Sequence, residues 1–134
     1  MASVLDYVIR EDGTLKSALE KLNDASGKQL VVVNAGNKVV GMVGNGDVRR
    51  AALHGALLSS PLVDHANTRF ISVREDGIPG LKRLFTEHYI STIPITDAGG
   101  RLTKIALVLP PEYHVEIFEY ARSKRRPDKK KASR

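Results

Sequence analysis

Apolar residues recur at three- and four-residue spacing over Leu15, Ala18, Leu19 and Leu22, and again over Ile78, Leu81, Leu84 and Phe85. Each run predicts an amphipathic helix. Related hexapeptides precede the two runs, "VIREDG" at Val8 to Gly13 and "SVREDG" at Ser72 to Gly77. Short β-branched runs follow them, "QLVVVN" and "TIPITD", of the composition that strands favour. A turn signal comes next in each case, "AGNK" at Ala35 to Lys38 and "AGGR" at Ala98 to Arg101. Second apolar runs, "VVGMVG" and "LTKIALV", complete the pattern. The first half then closes on a helical stretch, "DVRRAALHG". The second closes on "PPEYHVEIFEYARSK", whose leading prolines suit a first helical turn.

The chain therefore reads as an internal repeat of strand, helix, strand, strand, helix. In each half the second and third strands are expected to pair as a hairpin across the glycine-containing turn. One such unit buries too little apolar surface to stand alone, so two should pack about a pseudo-twofold axis. The expected fold is α/β: two β-α-β-β-α repeats packed as one module. The first repeat is expected over 1–58, the connector and second repeat over 59–121, and a tail over 122–134. A short helical turn is expected around Pro61 to Ala66.

Charge changes the picture only at the tail. The chain of 134 residues has a formal net charge of +6, which first suggests nucleic acid. Yet residues 122–134 hold eight of the 21 basic side chains, leaving 13 basic and 14 acidic groups in the rest. A nearly neutral body with a uniformly basic tail predicts a solvated, disordered end rather than a base-reading surface. Non-specific phosphate contacts through that tail are the competing expectation. A hydrophobic content of 42% supports a core. The apolar runs are far too short to span a membrane, and no basic-then-apolar leader opens the chain. Cysteine is absent, which excludes disulfides and thiolate metal sites and agrees with a cytoplasmic protein.

Candidate chemistry concentrates in "GMVGNGDVRRAALHG", Gly41 to Gly55, where an apolar run meets a glycine corner and a helix start. Asp47 there suits a helix N-cap, worth about 1 kcal/mol. A cap needs only the aspartate, whereas a ligand carrying a sugar and a phosphate would use it together with the two arginines that follow. Arg49 and Arg50 stand where the helix dipole disfavours cations, which slightly favours a phosphate partner. Adjacent helical residues diverge by about 100°, so one of them at most faces a given phosphate. Leu30 and Tyr7 suit ordinary core packing.

A repeated unit of this order, with an aspartate after its last strand, resembles the cystathionine-β-synthase-type repeat, the CBS domain, in its usual tandem pair. The resemblance spans roughly Asp6 to Glu119. The family's Gly-hydrophobic-hydrophobic-Ser/Thr-x-x-Asp segment is represented by Gly41-Met42-Val43-Gly44-Asn45-Gly46-Asp47, with Gly44 in place of the hydroxyl residue. The run through "GDVRRAALHG" looks most like CBS pairs fused to bacterial sugar-nucleotidyltransferases. The resemblance implies a regulatory module, not an enzyme, that binds AMP, ADP or ATP between the halves, with no required cofactor. It implies that Asp47 holds the ribose, with Gly44, Asn45, Gly46 and Arg49 or Arg50 around it. Lys28, Gln29, Leu30, Asp6 and Tyr7 would line the base, and Ser91 and Thr92 of the opposite half would reach the phosphate. Those hydroxyls favour a monophosphate, AMP. The family's proline after that base-lining segment is read as replaced by Val32 and retained as Pro94.

The second half departs further. Lys104 to Pro110, "KIALVLP", aligns with Gly41 to Asp47, so the ribose aspartate has become Pro110 and a second site of the same kind is not expected. The four histidines show no metal-ligand spacing, and neither a phosphate loop nor a nucleophile elbow is present. A homodimer, with a nucleotidyltransferase or other effector domain as partner, is implied by the resemblance; membrane and specific nucleic-acid partners are not expected. The alternative is a scaffold that binds no nucleotide and acts through dimerisation or protein contacts.

Overall fold

The computed structural model describes residues 4–24, 29–109 and 113–120. In the first half a 3-10 turn (Val4–Tyr7) leads into strand β1 (Val8–Arg10), followed by helix α1 (Leu15–Asp24), strands β2 (Leu30–Val33) and β3 (Val39–Val43), and helix α2 (Asn45–Leu53). In the second half strand β4 (Val73–Arg74) and a 3-10 turn (Glu75–Gly80) lead into helix α3 (Leu81–His88). Strands β5 (Thr92–Thr96), β6 (Leu102–Leu109) and β7 (His114–Glu119) follow. The strands form two sheets, β1-β2-β3 and β4-β5-β6-β7. The first pair of each is parallel and the rest antiparallel. The connector carries the expected short turn as a 3-10 segment at Leu62–Asp64.

The repeat is visible in hydrogen bonds as well as in order. Asn34 Oδ1 accepts the N–H groups of Gly36 and Lys38, and Asp97 Oδ1 accepts those of Gly99 and Arg101. One short polar side chain thus braces each hairpin turn in the same way. Leu30 pairs with Val43 in one hairpin and Ile93 with Ala106 in the other, which makes these residues counterparts. The same register makes Val31, rather than Val32, the counterpart of Pro94. Val31 pairs with Val8 across the parallel ladder. Pro94 has no N–H for that ladder, and β4 begins later, pairing Val73 with Ile95.

One expected element is corrected. The stretch beginning at "PPEYHVEIF" was expected to close the second half as a helix; His114–Glu119 instead forms β7, paired residue for residue with β6 from Leu109 to Lys104. The cause lies just upstream. In the first half, β3 stops at Val43 and Gly44 caps a helix. At the corresponding place Leu107, Val108 and Leu109 offer neither a cap nor a flexible corner, so β6 runs on. Its lengthened edge gives the returning chain a strand partner. Pro110 and the tail over 122–134 lie outside the described residues.

β6 joins the halves because its two faces serve different cores. Ile105 and Leu107, together with Leu102, pack with Leu15, Leu22, Leu30, Val31 and Val43 in the first-half core. Ala106 packs on the other face with Leu81, Phe85, Ile93 and Ile95. Burying a side chain of this size stabilises by about 1.5–3 kcal/mol relative to exposure. The two turns also bond across the junction: Val39 N–H donates to Gly100 O at 3.0 Å, and Leu102 N–H to Asn37 O at 2.9 Å.

Candidate functional site

α2 starts one turn earlier than the aspartate suggested. Gly44 is the N-cap in an extended conformation, and Asp47 is the third helical residue instead of the cap. Its carboxylate turns back along the first turn. Oδ2 accepts the Gly44 N–H at 2.8 Å, while Oδ1 accepts Arg50 Nη2 at 2.7 Å. Asp47 thereby satisfies one of the orphan donors at the helix start. The pair is lopsided in exposure: the Arg50 side chain is 67% exposed and that of Asp47 13%. Arg49 points to solvent, Asn45 is exposed and Gly46 half-buried.

The glycine at position 44 has a local cause. A Cβ there would lie 3.2 Å from Gln29 Cγ, so a serine or threonine would push the Gln29 side chain back by a few tenths of an ångström. Gln29 therefore packs on the Gly44–Asp47 corner. It also lines a groove of about 490 Å³ with Tyr89, Ile90, Ser91, Val108 and Tyr113. Five of those six residues belong to the second half, so the groove opens beside β5 and β6 and Asp47 is not among its lining. The chain thus brings together Gln29, Gly44, Asp47 and Arg50 at one corner, and Gln29 with Ser91 at an adjoining groove.

Thr92 begins β5, opposite Leu107, and so turns its side chain toward the first-half core. The residue is only 2% exposed. Its hydroxyl is buried and has no hydrogen-bond partner among the described residues. A polar group so placed costs free energy unless something satisfies it. Leu30 is fully buried and Tyr7 nearly so, both within the first-half core. Burial, and then the charge of Asp6, push the Tyr7 hydroxyl pKa above its ordinary value. Lys28 lies outside the described residues.

Sequence reading missed the aromatic rim of the groove. Tyr89 ends α3 in the left-handed conformation and is 95% exposed; Tyr113, also left-handed and 72% exposed, precedes β7. Twenty-odd residues separate them in the chain, and the pairing of β7 with β6 beside β5 places them at one groove. An exposed tyrosine at positive φ leaves no periodic mark in a sequence.

Residues 5–54, which span β1 through α2, match the family model of the CBS domain. No curated protein matches the chain. Several solved structures share its fold. A CBS domain protein from Pyrobaculum aerophilum in complex with AMP is 19% identical, with a TM-score of 0.63 over 75% of this chain and 79% of that one. The CBS domains of a transcriptional regulator from Streptococcus pneumoniae are 17% identical, with a TM-score of 0.64 over 78% and 85% of the two chains. The cytosolic domain of the Mg2+ channel MgtE in complex with ATP is 23% identical, with a TM-score of 0.62. There the likeness covers 77% of this chain and 42% of that one. The fold of this chain is that of a tandem CBS domain pair.

Proposed function

From a tandem CBS pair as the premise, we propose that this chain is a regulatory, non-enzymatic module that senses an adenosine-type nucleotide, AMP foremost, at the junction of its halves. The observation that carries the reading is the double role of Gln29, which packs on the Asp47 corner and lines the groove reached by Ser91 of the other half. The structurally similar proteins in complex with AMP and with ATP support the ligand class.

Asp47 keeps the Gly44 N–H on Oδ2 and exchanges Arg50 for ribose hydroxyls on Oδ1. The Arg50 side of the pair is open to water, 67% exposed, so its guanidinium is resolvated when released. Arg50, once released, faces the phosphate from the helix start, where backbone N–H groups also favour an anion. Ser91 contributes a neutral donor from the groove, which suits a monophosphate better than ADP or ATP, whereas Thr92 is buried away from it. A ligand touching both halves shifts the population toward one relative orientation, and an effector domain reads that orientation. A sugar-nucleotidyltransferase is one such effector, in a cytoplasmic homodimer.

Isothermal titration with AMP, ADP and ATP tests the reading. One site per chain is expected, and Asp47→Asn should weaken AMP about tenfold or more through loss of charge-assisted bonds. Asparagine can still accept the Gly44 N–H, so the melting temperature should change little. Unchanged affinity in that variant would remove Asp47 from the site. A specific observation favours the scaffold alternative, namely that both Asp47 oxygens already have partners in the ligand-free chain. Absence of binding for all three nucleotides would decide for it.

A further inference from the structure

A cavity of about 300 Å³ lies where the two hairpin turns meet, at the other end of the junction from the Asp47 corner. Gln29 precedes β2 and Val108 is near the end of β6, whereas Asn37 follows β2 and Leu102 begins β6. Leu102 and Val108 stand six positions apart on β6, or roughly 20 Å at about 3.3 Å per residue. The cavity is therefore separate from the groove at Gln29. Asn37 of the first half lines it together with Asp97, Arg101, Glu119 and Tyr120 of the second. Its size falls at the lower end of small-molecule sites, which run from about 300 to 1,000 Å³.

Polar groups of both signs converge there with bonding capacity to spare. Asn37 is 9% exposed and sits in the left-handed conformation that asparagine tolerates. Its Oδ1 accepts the Tyr120 hydroxyl at 3.2 Å, and among the described residues nothing accepts from its Nδ2. The Arg101 guanidinium pairs with Asp97 Oδ2 at 4.0 Å, beyond hydrogen-bond reach, so its planar fork of N–H donors is open. On the acidic side, Asp97 Oδ1 is taken by the turn while Oδ2 keeps only that long contact. The Arg101 backbone N–H above all holds the Asp97 carboxyl below its ordinary value, so it is ionised at neutral pH. Glu119 Oε2 lies 3.8 Å from Lys104 Nζ, which is hydrogen-bonded to Glu75 instead.

We propose that this cavity binds a small zwitterion of the α-amino-acid type, its carboxylate on the Arg101 fork and Asn37 Nδ2, its ammonium on Asp97 Oδ2 and Glu119. The inference does not depend on nucleotide binding. Charge selects the ligand class. A bare anion would meet both Asp97 and Glu119, and a bare cation would meet Arg101. A molecule carrying both charges satisfies each side: the guanidinium fork matches a carboxylate with two parallel hydrogen bonds, and an ammonium has three donors for the two acids. Asn37 comes from the first half and the charged groups from the second, so the ligand bridges the junction at its turn end.

Amide NMR spectra of the full chain, recorded with each of the common amino acids at about 10 mM, test this. At least one amino acid should shift the Asn37, Arg101 and Tyr120 amides saturably. Its N-acetyl and methyl-ester forms each lack one charge and should bind about tenfold more weakly or worse. Arg101→Gln should weaken the parent amino acid by about tenfold as well. The melting temperature should hold, because the turn uses the Arg101 backbone and not its side chain. Glu119→Gln, on the opposite wall, is the second variant and should weaken binding in the same sense. The proposal is overturned if no amino acid shifts those amides, if the singly charged forms bind as well as the parent, or if binding survives in both variants. Shifts confined to Gln29 and Ser91 would equally overturn it, since the ligand would then occupy the other groove.

Discussion

Replacing Thr92 with valine should stabilise the ligand-free chain. Thr92 is 2% exposed, and its hydroxyl has no partner among the described residues. Burying an unsatisfied hydroxyl costs about 1–3 kcal/mol on the scale of protein substitutions. Valine keeps the branched shape, so it opens no cavity and retains the preference for a strand. A gain of about 1 kcal/mol or more is therefore expected. With an unfolding entropy of about 2.1 cal/mol/K per residue, 1 kcal/mol corresponds to a rise of roughly 3–4 °C for a chain of this length. Thermal and urea melts without nucleotide measure the effect. Thr92→Ser provides the opposite arm, keeping the hydroxyl and losing a buried methyl, and should melt lower than the wild type. If Thr92→Val melts at or below the wild type, the hydroxyl is satisfied in solution and the reasoning fails.

Weakened ribose binding in Asp47→Asn is expected as described above. Hydrogen bonds from the Arg101 backbone first, then from Gly99 and Gly100, together with the Arg101 charge, hold the Asp97 carboxyl below its ordinary value of 3.8 despite partial desolvation. The folded value is depressed, so its stabilisation is complete above about pH 4 and lost as pH falls through the folded value. Asp97→Asn, the arrangement already present at Asn34, should keep the turn and flatten that part of the acid limb in pH-dependent melts; an unchanged acid limb would exclude Asp97 as its source. Gly13→Ala should destabilise by about 1–3 kcal/mol through overpacking, because its Cβ would lie 2.8 Å from Ser17 Oγ and 2.9 Å from Leu62 Cδ2. Gly77→Ala meets Val73 Cβ at 2.9 Å and should behave alike, whereas equal stability of either variant in urea would show that the neighbours yield.

Local patterns along the chain determined the repeat, both hairpins, the amphipathic character of α1 and α3, and the corner at Gly44 to Asp47. Each of these depends on residues within one turn, one strand or one hairpin, where spacing and turn chemistry leave few alternatives. Tertiary structure decided the rest. The segment from Tyr113 to Tyr120 has apolar residues at Val115, Ile117 and Phe118, which suit a helix face and a strand about equally well. The free flank of β6, available because Leu107 to Leu109 cannot start a helix, selects the strand. The role of Asp47 was equally open, since its carboxylate could cap, pair or bind; the positions of the Gly44 N–H and Arg50 decide what it touches without ligand. Gln29, Tyr89, Ser91 and Tyr113 converge on one groove only because β5 and β6 pack against the first half. Contacts between residues far apart in the chain carry no periodicity, and packing alone brings them into reach.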